Sequence, residues 1–219
     1  MLPEIAKLAS IGGDPIANPV TGARALQYLR KWGACGRDLA QLLEQKNGFY
    51  AYESSLLVRP LEHAVAPLGL VEWNSERLWK DKYAEDLPKV LFFAEDIFGC
   101  QFCFRRDSII CTFDPETGAI EEMTSSLTDW AKEILAEYDF RTGYPLAHAW
   151  QMENSPLPRG IRLLPKRPFV LGGKFEVENL YSLNEVEGML FRSSISNQIR
   201  NLPEGSQVVI RVSSPPEAG

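Results

Sequence analysis

The sequence predicts an α+β fold: a central, mainly antiparallel sheet flanked by helices, with a C-terminal α/β extension. Three features lead there. Residues 89–94 carry the solid apolar run Val90–Ala94, as expected of a strand buried on both faces. Short alternating segments at 100–105, 108–113 and 119–123 follow, joined by links too short for anything but antiparallel neighbours. Residues 126–138 then place Leu127, Trp130, Ala131, Ile134, Leu135 and Tyr138 at helical spacing.

The elements can be justified in order. Residues 1–21, with Gly12, Gly13, Pro15 and Pro19, read as an irregular lead-in. Helices are expected over 22–32, with Leu26, Leu29 and Trp32 in register, and over 37–46, with Leu39, Leu42 and Leu43 on one face. Asn47-Gly48 supplies a left-handed stop. Residues 55–60 read as a short strand, placed at an edge by Pro60. A helix is expected over 75–83. In the meander, Arg106-Asp107 makes one tight turn. The run Asp114-Pro115-Glu116-Thr117-Gly118 makes another, Pro115 presetting φ and Gly118 taking the left-handed position. Ser126 and Asp129 have the spacing of a capping box, with Asp in place of Glu. A further helix covers 145–152.

Four prolines and four basic residues at 155–168 read as a connection. Beyond it come a strand at 169–171, a Gly172-Gly173 turn, another short strand, and a helix over 183–201 capped by Ser182 and Glu185. Its buried face would carry Val186, Leu190, Ile195 and Ile199. A last strand covers 207–212. The expected organisation is therefore a lead-in (1–21), an α+β domain (22–154), an extension packed on it (155–212) and a frayed tail (213–219).

With 219 residues, 45 % hydrophobic and 24 % charged, the chain has the composition of a globular protein and can bury a core without metals or disulfides. No apolar stretch approaches the ~20 residues a bilayer requires. The N-terminus lacks a basic start followed by an apolar run, so a cytoplasmic setting with reduced thiols is expected for Cys35, Cys100, Cys103 and Cys111. A net charge of −6 argues against nucleic acid or an anionic membrane as the ligand. The charge divides unevenly, −8 over 1–154 and +2 beyond.

Catalytic signals are thin. Cys100 and Cys103 form a CxxC, but Phe98, Cys100, Phe102 and Phe104 alternate as on one face of a strand. The two thiols would then point apart, and no second pair or nearby His completes a metal set. His148 lies in an apolar helical context and reads as a core or boundary residue; His63 has no nucleophile beside it. Gly173-Lys174 lacks the upstream glycine and the following hydroxyl of a phosphate loop, and no GxGxxG occurs. No metal or cofactor is expected. The pairs Glu95-Asp96 and Glu121-Glu122 sit at adjacent positions, which on a strand face opposite ways and make no acid/base couple. The readings left for the two pairs are a solvated loop start and strand edge, an acidic recognition surface or, last, a catalytic site.

One ordered set of motifs remains: an N-terminal helix ending in Asn47-Gly48-Phe49-Tyr50, the segment 56–61, Trp73-Asn74 before a helix, Phe92-Phe93-Ala94-Glu95-Asp96 leading to Gly99, the hairpin 109–116, and Ser125-Ser126 before a Trp-containing helix. Together, over roughly residues 22–140, they resemble the SUKH superfamily of bacterial immunity proteins and relatives of a yeast cell-wall synthesis regulator. Ile97 and Phe98 stand where the family often has glycines. The resemblance implies a SUKH-like fold, no enzymatic activity, and binding that neutralises a protein toxin such as a nuclease or deaminase. The alternative it implies is an intracellular regulatory or scaffold protein. Loops on a rigid sheet would carry recognition. The expected partner surface is Glu95, Asp96, Asp114 and Glu116, with Glu53 and the aromatic Phe49, Tyr50 and Tyr52 beside them in the family's arrangement.

Overall fold

The computed structural model describes residues 2–20, 23–63, 65–83, 87–203 and 206. It is an α+β fold built on one six-stranded antiparallel meander, β1 (Phe49–Ala51), β2 (Leu56–Val58), β3 (Val90–Glu95), β4 (Gln101–Arg105), β5 (Ile110–Phe113) and β6 (Ile120–Thr124), in that spatial order. Every residue of β3 is buried, as its unbroken apolar sequence requires. A register shift between Phe92 and Ala94 puts the adjacent Phe93 and Ala94 into the same core.

One face packs under α1 (Pro3–Ile11), α2 (Ala23–Arg30), α3 (Gly33–Gln45) and α5 (Leu127–Ala136), with Leu91, Phe93, Phe102, Phe104 and Ile110 meeting Leu39, Leu43, Trp130 and Ile134. The other face carries Phe92, Cys103, Cys111 and Phe113 against Trp73, Trp79, Tyr83 and Met189. Alternate residues of β4 thus go to different cores, as a period of two demands.

Several expectations are corrected. The lead-in contains α1: Pro3 starts it, and Ile5, Leu8 and Ala9 bury one stripe against the first core. Each fully buried aliphatic contributes about 2 kcal/mol, enough to hold a short helix that its flanking glycines conceal. The strand at 55–60 is internal, not an edge. β1, absent from the expected set, flanks it, and Pro60 lies past its last ladder residue. Gly48 (φ +73°) turns the chain into β1, where an added Cβ would lie 2.4 Å from Pro60 N. The helix expected at 75–83 does not form: that stretch holds turns and one 3-10 turn at Lys80–Lys82, and a short helix, α4 (Leu70–Trp73), precedes it. Phe98 belongs to the bend before β4, since the strand begins only at Gln101.

The turns of the meander are as read from sequence. Gly118 takes φ +77° and donates to Asp114 O at 2.7 Å. Ser126 Oγ accepts the Asp129 N–H at 3.0 Å, capping α5. Two short helices follow, α6 (Tyr138–Thr142) and α7 (Tyr144–Glu153).

The proline-rich connection holds a strand, β7 (Ile161–Pro165), paired antiparallel with β8 (Leu180–Asn184). Pro165 ends the strand, where it costs no central ladder bond. The strand expected at 169–171 is a 3-10 turn. The closing helix α8 spans Glu185–Ile199, and its cap is Asn184, not Ser182: Asn184 Oδ1 accepts the Val186 and Glu187 N–H groups, while Ser182 lies on β8. Leu190 is exposed; the buried face is Glu185, Gly188, Met189, Arg192, Ser193, Ile195 and Ser196. The expected strand at 207–212 and tail at 213–219 lie outside the described residues. The C-terminal segment meets the sheet through a third apolar cluster, in which Leu163 and Leu180 join Ile97, Phe98 and Ala147. No helix among the described residues is long and apolar enough to cross a membrane.

Candidate binding cleft

The bend after β3 has to reverse the chain within five residues, and it does so by hydrogen bonding to itself. Asp96 Oδ1 accepts the Cys100 N–H at 2.8 Å, and Gly99 takes φ +74°. Beside it, the β5–β6 turn folds on Asp114, whose Oδ1 accepts the Glu116 N–H and whose Oδ2 accepts the Thr117 hydroxyl, both at 2.8 Å. Glu116 Oε2 in turn accepts the Val170 N–H at 2.9 Å, docking the 3-10 turn Phe169–Leu171 onto the sheet end. Arg192 reaches in from α8, donating to Gly188 O at 3.1 Å and to Phe98 O.

These pieces enclose a cleft of about 430 Å³. Asp96, Cys100, Asp114, Glu116 and Arg192 contribute polar groups; Phe98, Phe140, Pro165, Phe169, Val170 and Phe175 supply apolar walls. Phe169 and Phe175 stack at 3.9 Å with planes 6° apart, and Phe98 meets both edge-on. Phe140 and Phe175 stand at the mouth, 83 % and 62 % exposed. Larger depressions exist between β6 and α5 (about 560 Å³) and beside 15–20 (about 750 Å³), but without a comparable set of buried acids.

Burial shapes the chemistry of the cleft. It pushes the Asp96 carboxyl up to about 7, against the Cys100 N–H and the Arg192 charge, which pull it down. Glu116 is raised for the same reason. The Cys100 thiol is pushed well above its ordinary value by burial and by Asp96 and Asp114, so it stays protonated and is a weak nucleophile. The cleft can therefore hold a cation or carry one proton at Asp96. Among the described residues no three His, Cys, Asp or Glu side chains are grouped to hold a metal ion.

The expected recognition residues divide three ways. Asp96, Asp114 and Glu116 come together in the cleft, but Asp96 and Glu116 form its floor, 9 % and 5 % exposed, rather than a solvated loop. Glu95, expected in an acidic loop, is instead buried at 1 % exposure beneath the sheet end. It accepts Arg59 Nη2 at 2.7 Å, Gln101 Nε2 at 2.7 Å and Arg162 Nε at 2.6 Å. Arg59 also donates to Glu185 at 2.9 Å and lies 3.5 Å over the Trp73 ring. Burial raises the Glu95 carboxyl, but the two guanidiniums outweigh it and hold the group well below the usual range. Glu95 is thus internal ion-pair chemistry, closed to a partner. Phe49, expected at the surface, is fully buried in the first core.

Tyr50, Tyr52 and Glu53 lie elsewhere. Tyr50 is half-buried, its hydroxyl accepting the Gly160 N–H at 3.0 Å. Tyr52, Glu53 and Ser54 all take left-handed φ (51°, 52°, 70°), a costly run for residues with a Cβ. The turn is held by Gln151 on Glu53 O, by Arg162 on Ser54 O, and by Tyr52 stacked on Tyr138 at 4.6 Å. Glu53 pairs with His148 at 2.7 Å. His148, expected in the core or at its boundary, is exposed on α7. Cys103 is buried opposite Cys111 on β5, and Cys100 lines the cleft before the strand starts, so the CxxC thiols are separated as expected.

The walls of the cleft went unread in the sequence. Phe140 carried a signal: a large apolar residue between Asp139 and Arg141, past the buried stripe of α5. Phe175 and Arg192 carried none, because their place depends on how residues 155–199 fold back.

No family model matches the sequence, and no curated protein matches it. A similar solved structure is that of Atu4351 from Agrobacterium tumefaciens, at 12 % identity and a TM-score of 0.60, covering 88 % of each chain. That likeness concerns the fold.

Proposed function

We propose that this chain is a non-enzymatic immunity protein that binds and neutralises a basic bacterial toxin, a nuclease or a deaminase, in the cytoplasm. The observation that carries this is the pair Phe140 and Phe175, held open to solvent at the mouth of a cleft with an acidic floor. Exposed aromatic side chains lose water on contact and act as anchors. A surrounding negative potential, from a chain of net charge −6, speeds encounter with a basic partner and disfavours nucleic acid. The protonated Cys100 thiol and the lack of histidine in the cleft lining support binding over nucleophilic catalysis. The resemblance of residues 22–140 to immunity proteins points the same way. The test is co-expression with any toxin found encoded beside this gene. Growth is restored and the purified pair forms a stoichiometric complex. No rescue and no complex with any adjacent toxin contradicts the proposal; recovery of a cell-wall synthesis complex instead favours the regulatory role.

A further inference from the structure

We propose that the cleft seats a single guanidinium group, an arginine side chain of the basic partner; this rests on the partner-binding proposal above. The acids of the cleft are mostly satisfied from within. Both Asp114 oxygens serve the β5–β6 turn, and Glu116 Oε2 serves the Val170 N–H. Arg192, the cation of the lining, has its donors turned to Gly188 O, Phe98 O and Met189 Sδ. Asp96 and Glu116 each keep one oxygen in reserve. Asp96, nine-tenths buried, spends Oδ1 on the Cys100 N–H, and among the described residues no donor reaches its Oδ2 or Glu116 Oε1. Both side chains line the cleft. Three carboxyl groups against one arginine leave the site short of positive charge.

The walls select the kind of cation. Phe175, stacked on Phe169, is still largely exposed, and Phe140 stands at the same mouth. A planar, weakly hydrated guanidinium can stack on a ring face while its N–H edge reaches a carboxylate. A lysine ammonium holds its water more tightly and has no flat face to stack, so a largely apolar cleft disfavours it.

The test titrates the whole protein with N-acetyl-arginine amide, N-acetyl-lysine amide and the neutral isostere N-acetyl-citrulline amide at pH 8. Ring resonances of Phe140 and Phe175 are read by NMR. Saturable shifts are expected with the arginine probe. Affinity should be at least roughly tenfold weaker for the other two probes. The arginine response should be lost in both Asp96→Asn and Phe175→Leu while the remaining spectrum keeps its dispersion. Equal response to citrulline, or no saturable response to arginine, overturns the inference. The toxin complex is measured with Phe140→Ala and Phe175→Ala in parallel. If those variants weaken the complex while the arginine probe finds no site, the guanidinium inference falls and partner binding stands. If the probe binds and the complex is indifferent, the inference stands as a cation site and the placement of the partner falls.

Discussion

Arg162 on β7 donates its Nε–H to Glu95 Oε1 on β3 at 2.6 Å, and both side chains are 1 % exposed. The bond joins a strand of the C-terminal segment to the central strand of the sheet. Arg59 closes the other side of the same carboxylate and continues to Glu185 at the start of α8. Two arginines and two glutamates thus form a neutral buried set. Its worth lies less in net attraction than in the penalty for breaking it, since one lost partner leaves an uncompensated buried charge.

Glu95→Gln is expected to destabilise the protein by roughly 3–5 kcal/mol, because buried Arg162 then loses its carboxylate and Arg59 keeps only Glu185. Glu95 titrates below its unfolded value, so its contribution is present above pH ~4.5 and fades as pH falls below it. Urea unfolding at pH 7 and pH 3 checks both: the variant should lose far more against wild type at pH 7 than at pH 3.

Asp96 behaves oppositely. Its folded carboxyl titrates near 7 against an ordinary 3.8, so the folded state holds a proton that the unfolded chain releases. Stability falls through this group as pH rises from about 4 to about 7. Asp96→Asn keeps an acceptor for the Cys100 N–H and removes the buried charge. It should stabilise by roughly 2–4 kcal/mol at pH 8 and by little at pH 4. Thermal melts at the two pH values decide it; equal gains at both would contradict the assignment.

Asn184→Ala should cost about 1 kcal/mol by uncapping α8, whereas Ser182→Ala should change stability by less than about 0.5 kcal/mol. Chemical denaturation of the two variants separates the observed cap from the one the sequence favours.

That capping error shows where sequence reading stops. Ser182 and Glu185 make a formally better box than Asn184, but β8 pairs through Asn184 with Ile161, so the helix cannot start earlier. The central strand, the hairpins and α5 were legible because their signals are local: an apolar run, a Pro–Gly turn, a helical stripe. α1 and β7 were hidden by glycine and proline nearby, and their stability comes from distant partners. The same holds for the cleft. Asp96, Asp114 and Glu116 could be named from loops at one sheet end, while the burial of Glu95 depends on Arg162, which approaches only after the chain has folded back. Phe175 reaches its place through the same return path.

The role of Phe140 and Phe175 as anchors is tested most directly by the dissociation rate of the toxin complex. The double variant Phe140→Ala, Phe175→Ala should release the toxin roughly 100-fold faster, about 3 kcal/mol of lost binding. Its thermal midpoint should stay within about 2 °C of wild type, because both side chains are exposed. An unchanged dissociation rate from a verified toxin complex would contradict the account.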